Sequence, residues 1–327
     1  MSLVVRMKWM PLALALLATA AGAQDGRGDV VYVPTPQVVV DEMLRMAKVG
    51  PADYVIDLGS GDGRIVIAAA KKHGARGFGV DLDTYLLKLA NASARKEGVT
   101  DRARFIEQNL FETDLSSATV ITSYLLPEMN LKLRPKILAL KPGTRVVAHD
   151  YSMGEWDPDD DATLEVPEKT VGDPGKSYIF LWIVPARVAG RWESKLAVSG
   201  SPAAFEFNFL QHFQLVHGTV RIGDRELKLP QFRMAGEQIN FKLEVPGAGK
   251  PRSNSTGESN GASTASKLER GKPTSYQFRG WVKGEVIEGN VTVGEGSGQR
   301  VQPWSAKRTV RGEPNMGAVA PVVGVLQ

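Results

Sequence analysis

The sequence predicts an α/β fold, a doubly wound and largely parallel sheet that ends in an antiparallel hairpin and is followed by a smaller all-β domain. Strand and helix patterns alternate from residue 35 to residue 149, as they do when helices cover both faces of a parallel sheet. Residues 55–58 and 146–148 direct apolar side chains toward both faces, which is typical of buried central strands. After Gly190 the helical patterns stop, and short alternating strands replace them.

Each element of the first domain follows from a local pattern. Thr35 is predicted to cap a helix whose first turn contains Pro36, and Gly50-Pro51 ends that helix. Strands are predicted at 54–58, 77–81, 103–106, 119–122 and 145–149, and helices at 64–73, 84–97 and 129–140. Strands at 162–166 and 178–184 are joined by a loop rich in Gly and Pro, so they predict an antiparallel hairpin at the sheet edge.

The second domain is predicted to be a barrel or sandwich of short strands over residues 187–310. A Gly-x-Trp motif at 190–192 that opens the first strand, together with Arg308 in the last strand, resembles the lipocalin arrangement, which would imply a closed barrel. Stacking of Arg308 on Trp192 explains both residues without a ligand and is the favoured interpretation. The polar segment 247–273 is predicted to be a disordered loop, and residues 311–327 a flexible tail.

The first 23 residues are predicted to be a signal peptide. Arg6 and Lys8 precede an apolar run from 9 to 20, and residues 21–23 are small, as a signal peptidase requires. That run is shorter than the roughly twenty residues that cross a bilayer, so cleavage is favoured, and an uncleaved membrane anchor is the alternative. The first domain then spans 24–186, and the protein is expected to be exported to the periplasm or secreted.

Composition excludes several kinds of site. With 43% hydrophobic and 23% charged residues over 327 positions, the chain is typical of soluble globular proteins. Its formal charge of +4 becomes +2 without Arg6 and Lys8, which is too small to predict a nucleic-acid partner. The chain has no cysteine, which excludes disulfides and thiolate sites, and its four histidines lack metal-ligand spacing, so no metal is predicted.

A glycine-rich turn joins the first predicted strand to the next helix. Gly59, Gly61 and Gly63 occupy alternate positions there, so a ligand can approach the backbone closely. Asp81 ends the second strand, 22 residues after Gly59, where a carboxylate can bind both hydroxyls of a ribose. The turn and the acid together predict a ligand that contains adenosine.

The acid at position 57 selects among adenosine-containing ligands. The glycines run Gly-x-Gly-x-Gly rather than Gly-x-Gly-x-x-Gly, and the carboxylate of Asp57 would repel the pyrophosphate of a dinucleotide. The same carboxylate favours the cationic amino group of S-adenosylmethionine, whose own carboxylate can bind amides at a helix N-terminus. S-adenosylmethionine is therefore the predicted cofactor.

Four motifs give the sequence a family resemblance. Tyr-Val-Pro-Thr-Pro at 32–36, Asp-Leu-Gly-Ser-Gly-Asp-Gly-Arg-Ile at 57–65, Tyr-Leu-Leu-Pro at 124–127 and Leu-Lys-Pro-Gly at 140–143 resemble the seven-strand, Rossmann-like methyltransferases that include archaeal and mitochondrial protein-lysine methyltransferases. The resemblance covers about residues 30–185 and leaves the C-terminal domain out. It implies that Tyr32, Thr35 and Tyr124 border the active site, whereas Asn109 stands where relatives usually have Asp.

The prediction of the site is based on the glycine-rich turn, the carboxyl ends of the strands and the family resemblance. Tyr124 is predicted to line the acceptor pocket, because open α/β sheets bind ligands at the carboxyl ends of their strands. Glu128 and Asp150 lie at comparable strand ends and are predicted to accept a proton or hold an ammonium group, with solvated loop acids as the alternative. The predicted cofactor-binding residues are Tyr32, Thr35, Asp57, Gly59, Ser60, Gly61, Gly63, Asp81, Leu82, Asn109 and Leu110.

These residues predict a methyltransferase that transfers a methyl group from S-adenosylmethionine to protein lysine. Displacement at a sulfonium depends mainly on alignment, and a confined, partly apolar pocket lowers the pKa of an acceptor lysine. Two alternatives stay open. One is an exported scaffold that binds the nucleoside without turnover, and the other is a methyltransferase for a small-molecule acceptor.

Overall fold

The computed structural model describes residues 32–198, 201–247 and 272–317, which form two sheets in succession along the chain. The predicted signal peptide at 1–23 lies outside the described residues. So do residues 248–271 of the predicted disordered loop and 318–327 of the predicted tail.

The first domain consists of a seven-stranded sheet and four helices. Its strands are β1 (Tyr54–Leu58), β2 (Arg76–Asp81), β3 (Ala103–Glu107), β4 (Val120–Ser123), β5 (Arg145–His149), β6 (Asp160–Val166) and β7 (Gly175–Ile183), and its helices are α1 (Gln37–Met46), α2 (Arg64–His73), α3 (Thr84–Lys96) and α4 (Pro127–Ile137). The strand order is β3-β2-β1-β4-β5-β7-β6. Adjacent strands among the first five are parallel, whereas β7 is antiparallel to β5 and β6, so the predicted doubly wound sheet with a terminal hairpin is confirmed.

Both faces of the central strands are buried. Val55 and Val120 pack in one core with α1 and α2. Ile56 and Ile121 pack on the opposite face, in a core that contains Leu133 of α4. Because helices cover both faces, a ligand can reach this sheet only at the ends of its strands. The strand order reverses direction between β1 and β4, and open α/β sheets bind ligands at the carboxyl ends of the strands at such a point.

The start of α1 differs from the prediction. The helix begins at Gln37, and no side chain caps it. The Thr35 hydroxyl instead lies 3.3 Å from Nδ1 of His149, the last residue of β5. The prediction that Thr35 caps this helix is therefore wrong, because a buried histidine on a neighbouring strand engages its hydroxyl.

The second sheet has eight antiparallel strands and is nearly closed. Its strands are β8 (Gly190–Val198), β9 (Ser201–His212), β10 (Leu215–Ile222), β11 (Arg225–Arg233), β12 (Gln238–Val245), β13 (Thr274–Lys283), β14 (Val286–Val293) and β15 (Arg300–Arg311). The order is β11-β10-β9-β8-β15-β14-β13-β12, and the two terminal strands lie close together. The predicted all-β architecture is confirmed, although local patterns did not predict β11, which contains Pro230 and lies at one end of the sheet.

Aromatic rings fill the described interior of this second sheet. Phe207 is fully buried, and its ring centroid lies 5.5 Å from those of Phe209 and Phe278. Arg308 lies over Trp192, with its guanidinium carbon 4.3 Å from the ring centroid. This geometry favours the stacking interpretation of these two residues over a lipocalin-like ligand site.

The two sheets are joined by side-chain packing. Phe213 in the turn between β9 and β10 stacks on Trp156, with ring centroids 6.0 Å apart. Asn315 donates its backbone N–H to the Gln211 carbonyl and accepts from the N–H of Phe213, at 2.8 and 2.9 Å. The described part of the predicted flexible tail is thus hydrogen-bonded to the second sheet. No helix among the residues described is long and apolar enough to span a membrane.

Candidate active site

The glycine-rich turn lies at the carboxyl end of β1, where the strand order reverses. Gly59, Gly61 and Gly63 have φ angles of 74°, 52° and 79°, a region that favours glycine. A Cβ atom on Gly61 would lie 2.3 Å from Cε2 of Tyr32, and one on Gly59 would lie 2.9 Å from Cδ2 of Leu125. The turn therefore needs glycine both for its conformation and for contact with the segments that carry Tyr32 and Leu125.

Asp57 is a buried carboxylate just before this turn. Its side chain accepts a hydrogen bond from the Thr122 hydroxyl at 2.7 Å, across the β1–β4 register pair. Burial raises the pKa of Asp57 to about 7, and the nearby charges of Asp81 and Asp62 act in the same direction. Negative charge gathered in a low-dielectric site favours a bound cation.

Asp81 is held in a fixed orientation at the carboxyl end of β2. Its Oδ2 accepts the backbone N–H of Gly61 at 2.8 Å, and its Oδ1 accepts that of Asp83 at 2.9 Å. A carboxylate oxygen can accept more than one hydrogen bond, so the pair can also bind a vicinal diol. Leu82, which follows it, is 49% exposed and offers an apolar surface beside this acid.

The fit of S-adenosylmethionine, the predicted methyl donor, can be tested against these groups. The hydroxyl of Ser60 is buried without a hydrogen-bond partner among the described residues, as is that of Ser123 at the end of β4. Helix α2 begins after Gly63, which has no side chain to cap its first amides. An ammonium beside Asp57, a carboxylate at these amides and a ribose on Asp81 satisfy the charges present, so S-adenosylmethionine fits this set of groups.

Asn109 and Leu110 follow β3. The Asn109 side-chain oxygen accepts the N–H of Phe111 at 3.0 Å, and its amide nitrogen lies 3.4 Å from Glu112. Leu110 is half-buried and packs against the core below α4. Asn109 therefore forms a local turn, and its role in binding the cofactor stays a prediction.

Arg64 ties the segment before α1 to the glycine turn. Its guanidinium donates to the Thr35 carbonyl at 2.7 Å and forms an ion pair with Asp62 at 2.6 Å. Burial tends to raise the pKa of Asp62, but the hydrogen bonds from Arg64 outweigh it and lower that pKa. Burial and the Asp62 charge raise the pKa of Tyr32 to about 12, so the phenol stays protonated at the edge of the turn.

A second group of polar side chains lies at the carboxyl ends of β4 and β5. The hydroxyl of Tyr124 donates to Oδ2 of Asp150 at 3.0 Å. The ammonium of Lys169 lies 2.8 Å from Oδ1 and 2.7 Å from Oδ2 of the same carboxylate. We call these residues and their close neighbours the Tyr124 cluster, which consists of Thr35, Tyr124, His149, Asp150, Lys169 and Ser177.

The topology explains why these residues meet. Asp150 has a φ of 61°, so the chain turns sharply as it leaves β5. Strand β6 runs parallel to β5 within the sheet, and its hairpin turn to β7 therefore lies at the same edge. That turn carries Lys169, and the Tyr178 amide of β7 donates to Asp150 at 3.1 Å.

His149 is a buried, neutral member of the cluster. Its Nε2 lies 3.0 Å from the hydroxyl of Ser177, and Thr35 lies beside its other nitrogen. Its ring centroid is 4.0 Å from that of Tyr124. Burial lowers the pKa of His149 to about 4, so the imidazole is neutral near pH 7.

The structure separates the three predicted catalytic residues. Tyr124 and Asp150 are hydrogen-bonded, whereas Glu128 is exposed in the first turn of α4. Glu128 forms no hydrogen bond or ion pair with any residue described, and its role as a proton acceptor stays a prediction. Among the described residues no group of three or more His, Cys, Asp or Glu side chains could hold a metal ion.

The sequence motifs do not predict Lys169, because it lies outside both the glycine turn and the ends of the parallel strands. The predicted hairpin does indicate this position. Because β6 runs in the same direction as β5, the turn that follows β6 must lie at the carboxyl ends of the parallel strands. Lys169 lies in that turn. It is also buried, which is unusual for a lysine, and its charge is paired with Asp150, which lies 19 residues earlier in the sequence.

Comparison with known proteins agrees with this geometry. Residues 57–160 match the family described as ANTKMT methyltransferase domain. The chain is 48% identical over 131 residues to a protein-lysine N-methyltransferase of Saccharolobus islandicus, a match that covers 39% of this chain and 81% of that protein. It is 30% identical over 133 residues to the adenine nucleotide translocase lysine N-methyltransferase of Mus musculus, covering 40% of this chain and 58% of that one.

Solved structures are also similar. The crystal structure of an RNA methyltransferase from Salinibacter ruber in complex with S-adenosyl-L-homocysteine is 47% identical, with a TM-score of 0.43. The match covers 48% of this chain and 96% of that chain. This chain thus spans most of the archaeal relative but little more than half the length of the mouse one.

Proposed function

The chain belongs to the protein-lysine N-methyltransferase family, and from this premise we propose that it transfers a methyl group from S-adenosylmethionine to the side-chain amine of a protein lysine. One observation supports a lysine side chain as the methyl acceptor. The Tyr124 hydroxyl is fixed by the buried Asp150 at 3.0 Å, and its neighbour Leu125 touches the glycine turn at Gly59. A hydrogen-bonding group thus stands beside the donor site, among aromatic side chains.

The donor supplies an electrophilic methyl group on a positively charged sulfur. In this chain Asp57 would bind the donor's ammonium group, and the amides that begin α2 would bind its carboxylate. The carboxylate of Asp81 would accept hydrogen bonds from the ribose hydroxyls. These contacts would hold the methyl donor at the carboxyl ends of β1 and β4, and alignment of this kind is the main contribution of a protein to such a displacement.

Tyr124 would position the acceptor. Because its hydroxyl proton is donated to Asp150, its oxygen lone pairs remain available to accept an N–H of the incoming amine. Burial and the Asp150 charge raise the pKa of Tyr124, so it stays a phenol and adds no negative charge that would hold the amine as ammonium. The neutral amine would attack the methyl carbon as the methyl–sulfur bond breaks, S-adenosyl-L-homocysteine would leave as a neutral thioether, and the methylated ammonium would release its extra proton to water.

Radiolabelled methyl transfer to fractionated cell proteins, with mass spectrometry of the labelled bands, tests this proposal. We expect methyl-lysine in wild-type reactions and a kcat lower by about 10- to 100-fold in Tyr124→Phe, because general positioning contacts contribute on that order. Tyr54→Phe is a matched control, because Tyr54 is half-buried like Tyr124 but begins β1, at the opposite end of that strand from the glycine turn. Label that appears only on small molecules would refute a protein acceptor.

We further propose that the protein is exported. Support comes from Arg6, Lys8 and the apolar run at 9–20 alone. A fusion of residues 1–30 to a reporter that is active only outside the cytoplasm tests this directly. Loss of reporter activity on changing Arg6 and Lys8 to Glu is expected, and a fusion that stays in the cytoplasm would contradict export.

A further inference from the structure

Lys169 is buried although it carries a charge. Its side chain is 3% exposed, and the carboxylate of Asp150 that it faces is 5% exposed. The ammonium also donates to the backbone carbonyl of Lys176, which fixes it from the second strand of the hairpin. Burying an ion pair is costly in free energy, so a pair at the edge of an active site calls for an explanation beyond fold stability.

The hairpin turn is shaped to hold this ammonium against Asp150. Lys169 donates its N–H to the Val166 carbonyl at 2.9 Å and accepts from Gly175 at 3.0 Å, which folds the turn back on itself. Gly172 has a φ of 78°, and a Cβ there would lie 3.3 Å from Oδ2 of Asp150. The turn thus brings both the ammonium and its own backbone against this carboxylate.

An amine methyltransferase must avoid an unpaired carboxylate beside its acceptor. Such a group would bind the protonated lysine tightly and stabilise the unreactive ammonium form. Asp150 lies one hydrogen bond from Tyr124 and would have this effect if its charge were not matched. The buried cation of Lys169 matches it.

We propose that Lys169 is a positioning residue: its ammonium compensates Asp150, so that Asp150 orients the Tyr124 hydroxyl without trapping the acceptor lysine as ammonium. This inference rests on the proposed function. It assigns to the β6–β7 hairpin a role in acceptor chemistry that neither Tyr124 nor Asp150 could perform alone.

Other titratable groups surround the pair and must be considered in any pH dependence. His149 approaches Oδ1 of Asp150 to 3.4 Å but is neutral near pH 7, because burial lowers its pKa to about 4. The phenol of Tyr124 stays protonated, because burial and the Asp150 charge raise its pKa. Two other titratable groups among the described residues lie close by: Tyr151, which is stacked on Tyr124, and Tyr178, whose hydroxyl binds Asp173.

Steady-state kinetics of Lys169→Met over pH 6.5–9.5 tests the inference. We expect kcat at pH 7.5 to fall about 10- to 100-fold, while KM for the protein acceptor falls because the ammonium form binds more tightly. The pH at which kcat reaches half its maximum should rise by about one unit or more, because an unpaired carboxylate raises the pKa of the bound acceptor lysine. Calorimetry with a lysine peptide and S-adenosyl-L-homocysteine should show tighter peptide binding in the variant, a readout independent of turnover.

Three further variants separate this role from simple support of the hairpin. Lys176→Met removes an exposed charge from the same hairpin and keeps the carbonyl that Lys169 uses, so its kinetics should match wild type. Lys169→Arg should recover most of the lost kcat. The double variant Lys169→Met/Asp150→Asn removes both buried charges and should be less impaired than Lys169→Met alone, because no carboxylate is left unpaired.

The outcomes are distinct. A Lys169→Met enzyme with raised KM, reduced thermal stability and an unchanged pH profile would reduce Lys169 to a support for the loop and overturn the inference. If wild type forms methyl-lysine and Lys169→Met is kinetically normal, the inference fails while the proposed function stands. Absence of methyl-lysine in every wild-type reaction would refute the proposed function itself.

Discussion

The two sheets bury very different interiors. At the carboxyl edge of the seven-stranded sheet, ionisable groups are buried together, among them Asp57, His149 and the Asp150–Lys169 pair. The described interior of the eight-stranded sheet is instead a stack of aromatic rings around Phe207, and the buried Arg308 lies over one of its rings, that of Trp192. Buried charge is expensive, whereas buried aromatic area is stabilising.

This difference indicates what each region contributes. Groups such as Asp57, which the folded protein holds at a cost, are kept where a ligand can compensate them. The aromatic core needs no ligand to be satisfied, so the second sheet is expected to contribute stability and surface. Substitutions in each region can contradict this division of roles or make it more precise.

The greatest change in stability is expected in the aromatic core. Phe207→Ala should lower the free energy of unfolding by about 3–5 kcal/mol, because it leaves a cavity among closely packed rings. The affinity for S-adenosyl-L-homocysteine should stay unchanged. Leu210→Ala on the same strand is the control, since Leu210 is 51% exposed and should cost little. Urea unfolding and calorimetry measure both quantities, and a large loss of ligand affinity in Phe207→Ala would contradict the division.

The buried His149 predicts a loss of stability in acid. Its pKa in the folded protein is about 4, below the roughly 6.5 of an unfolded chain, so between those values only the unfolded state takes up the proton. Stability should therefore fall as pH drops from 6.5 to 4, by up to about 3 kcal/mol. His149→Gln should flatten this fall in urea unfolding at several pH values, whereas His217→Gln, at an exposed position, should not. Equal slopes for wild type and His149→Gln would contradict the assignment.

Replacing Asp57 is expected to weaken ligand binding and to stabilise the free protein. Asp57→Asn should weaken S-adenosyl-L-homocysteine binding at least about 100-fold, because the ligand's ammonium loses its buried counter-charge. The melting temperature near pH 8 should not fall and is expected to rise, since burial disfavours the charged carboxylate in the free protein. Asp101→Asn is the control at an exposed site, with a side chain 69% exposed. Unchanged ligand affinity in Asp57→Asn would remove Asp57 from the site.

The same carboxylate should make ligand binding depend on pH. Because the pKa of Asp57 in the free protein is about 7, binding below that pH must displace a proton. The Kd should rise by about tenfold for each pH unit below 7, with proton release visible when calorimetry is repeated in buffers of different ionisation enthalpy. In Asp57→Asn both dependences should vanish. A wild-type Kd that is constant from pH 5.5 to 8 would show that the ammonium lies elsewhere.

Local patterns were sufficient for most of the first sheet and for its ligand. Strands β1 and β5 and helix α2 have the predicted bounds, because apolar runs between glycine or proline signals leave little choice of register. The prediction of S-adenosylmethionine followed from Asp57, the glycine turn and Asp81, which are close in sequence and become close in space through a single strand–helix–strand unit. The family comparisons confirm that cofactor.

The tertiary setting of the residues accounts for two errors. Thr35 carries an ordinary helix-cap signal, but His149 lies 114 positions away and binds its hydroxyl. Strand β11 was missed because Pro230 lowers strand propensity, although an end strand tolerates it. In the first case a partner distant in sequence changes the outcome that the local residues favour; in the second, β11 pairs with its sequence neighbour β10, and its place at the end of the sheet accommodates the proline.

The sequence by itself determined the alternation of strands and helices, the glycine turn with its two acids, and the change to an all-β second half, because these depend on residues near one another in the chain. Only the tertiary structure decided that Lys169 meets Asp150 beside Tyr124, and that aromatic rings fill the second sheet. Those contacts arise from strand order and side-chain packing, and neither can be read from a local pattern, since each joins residues that the chain alone leaves far apart.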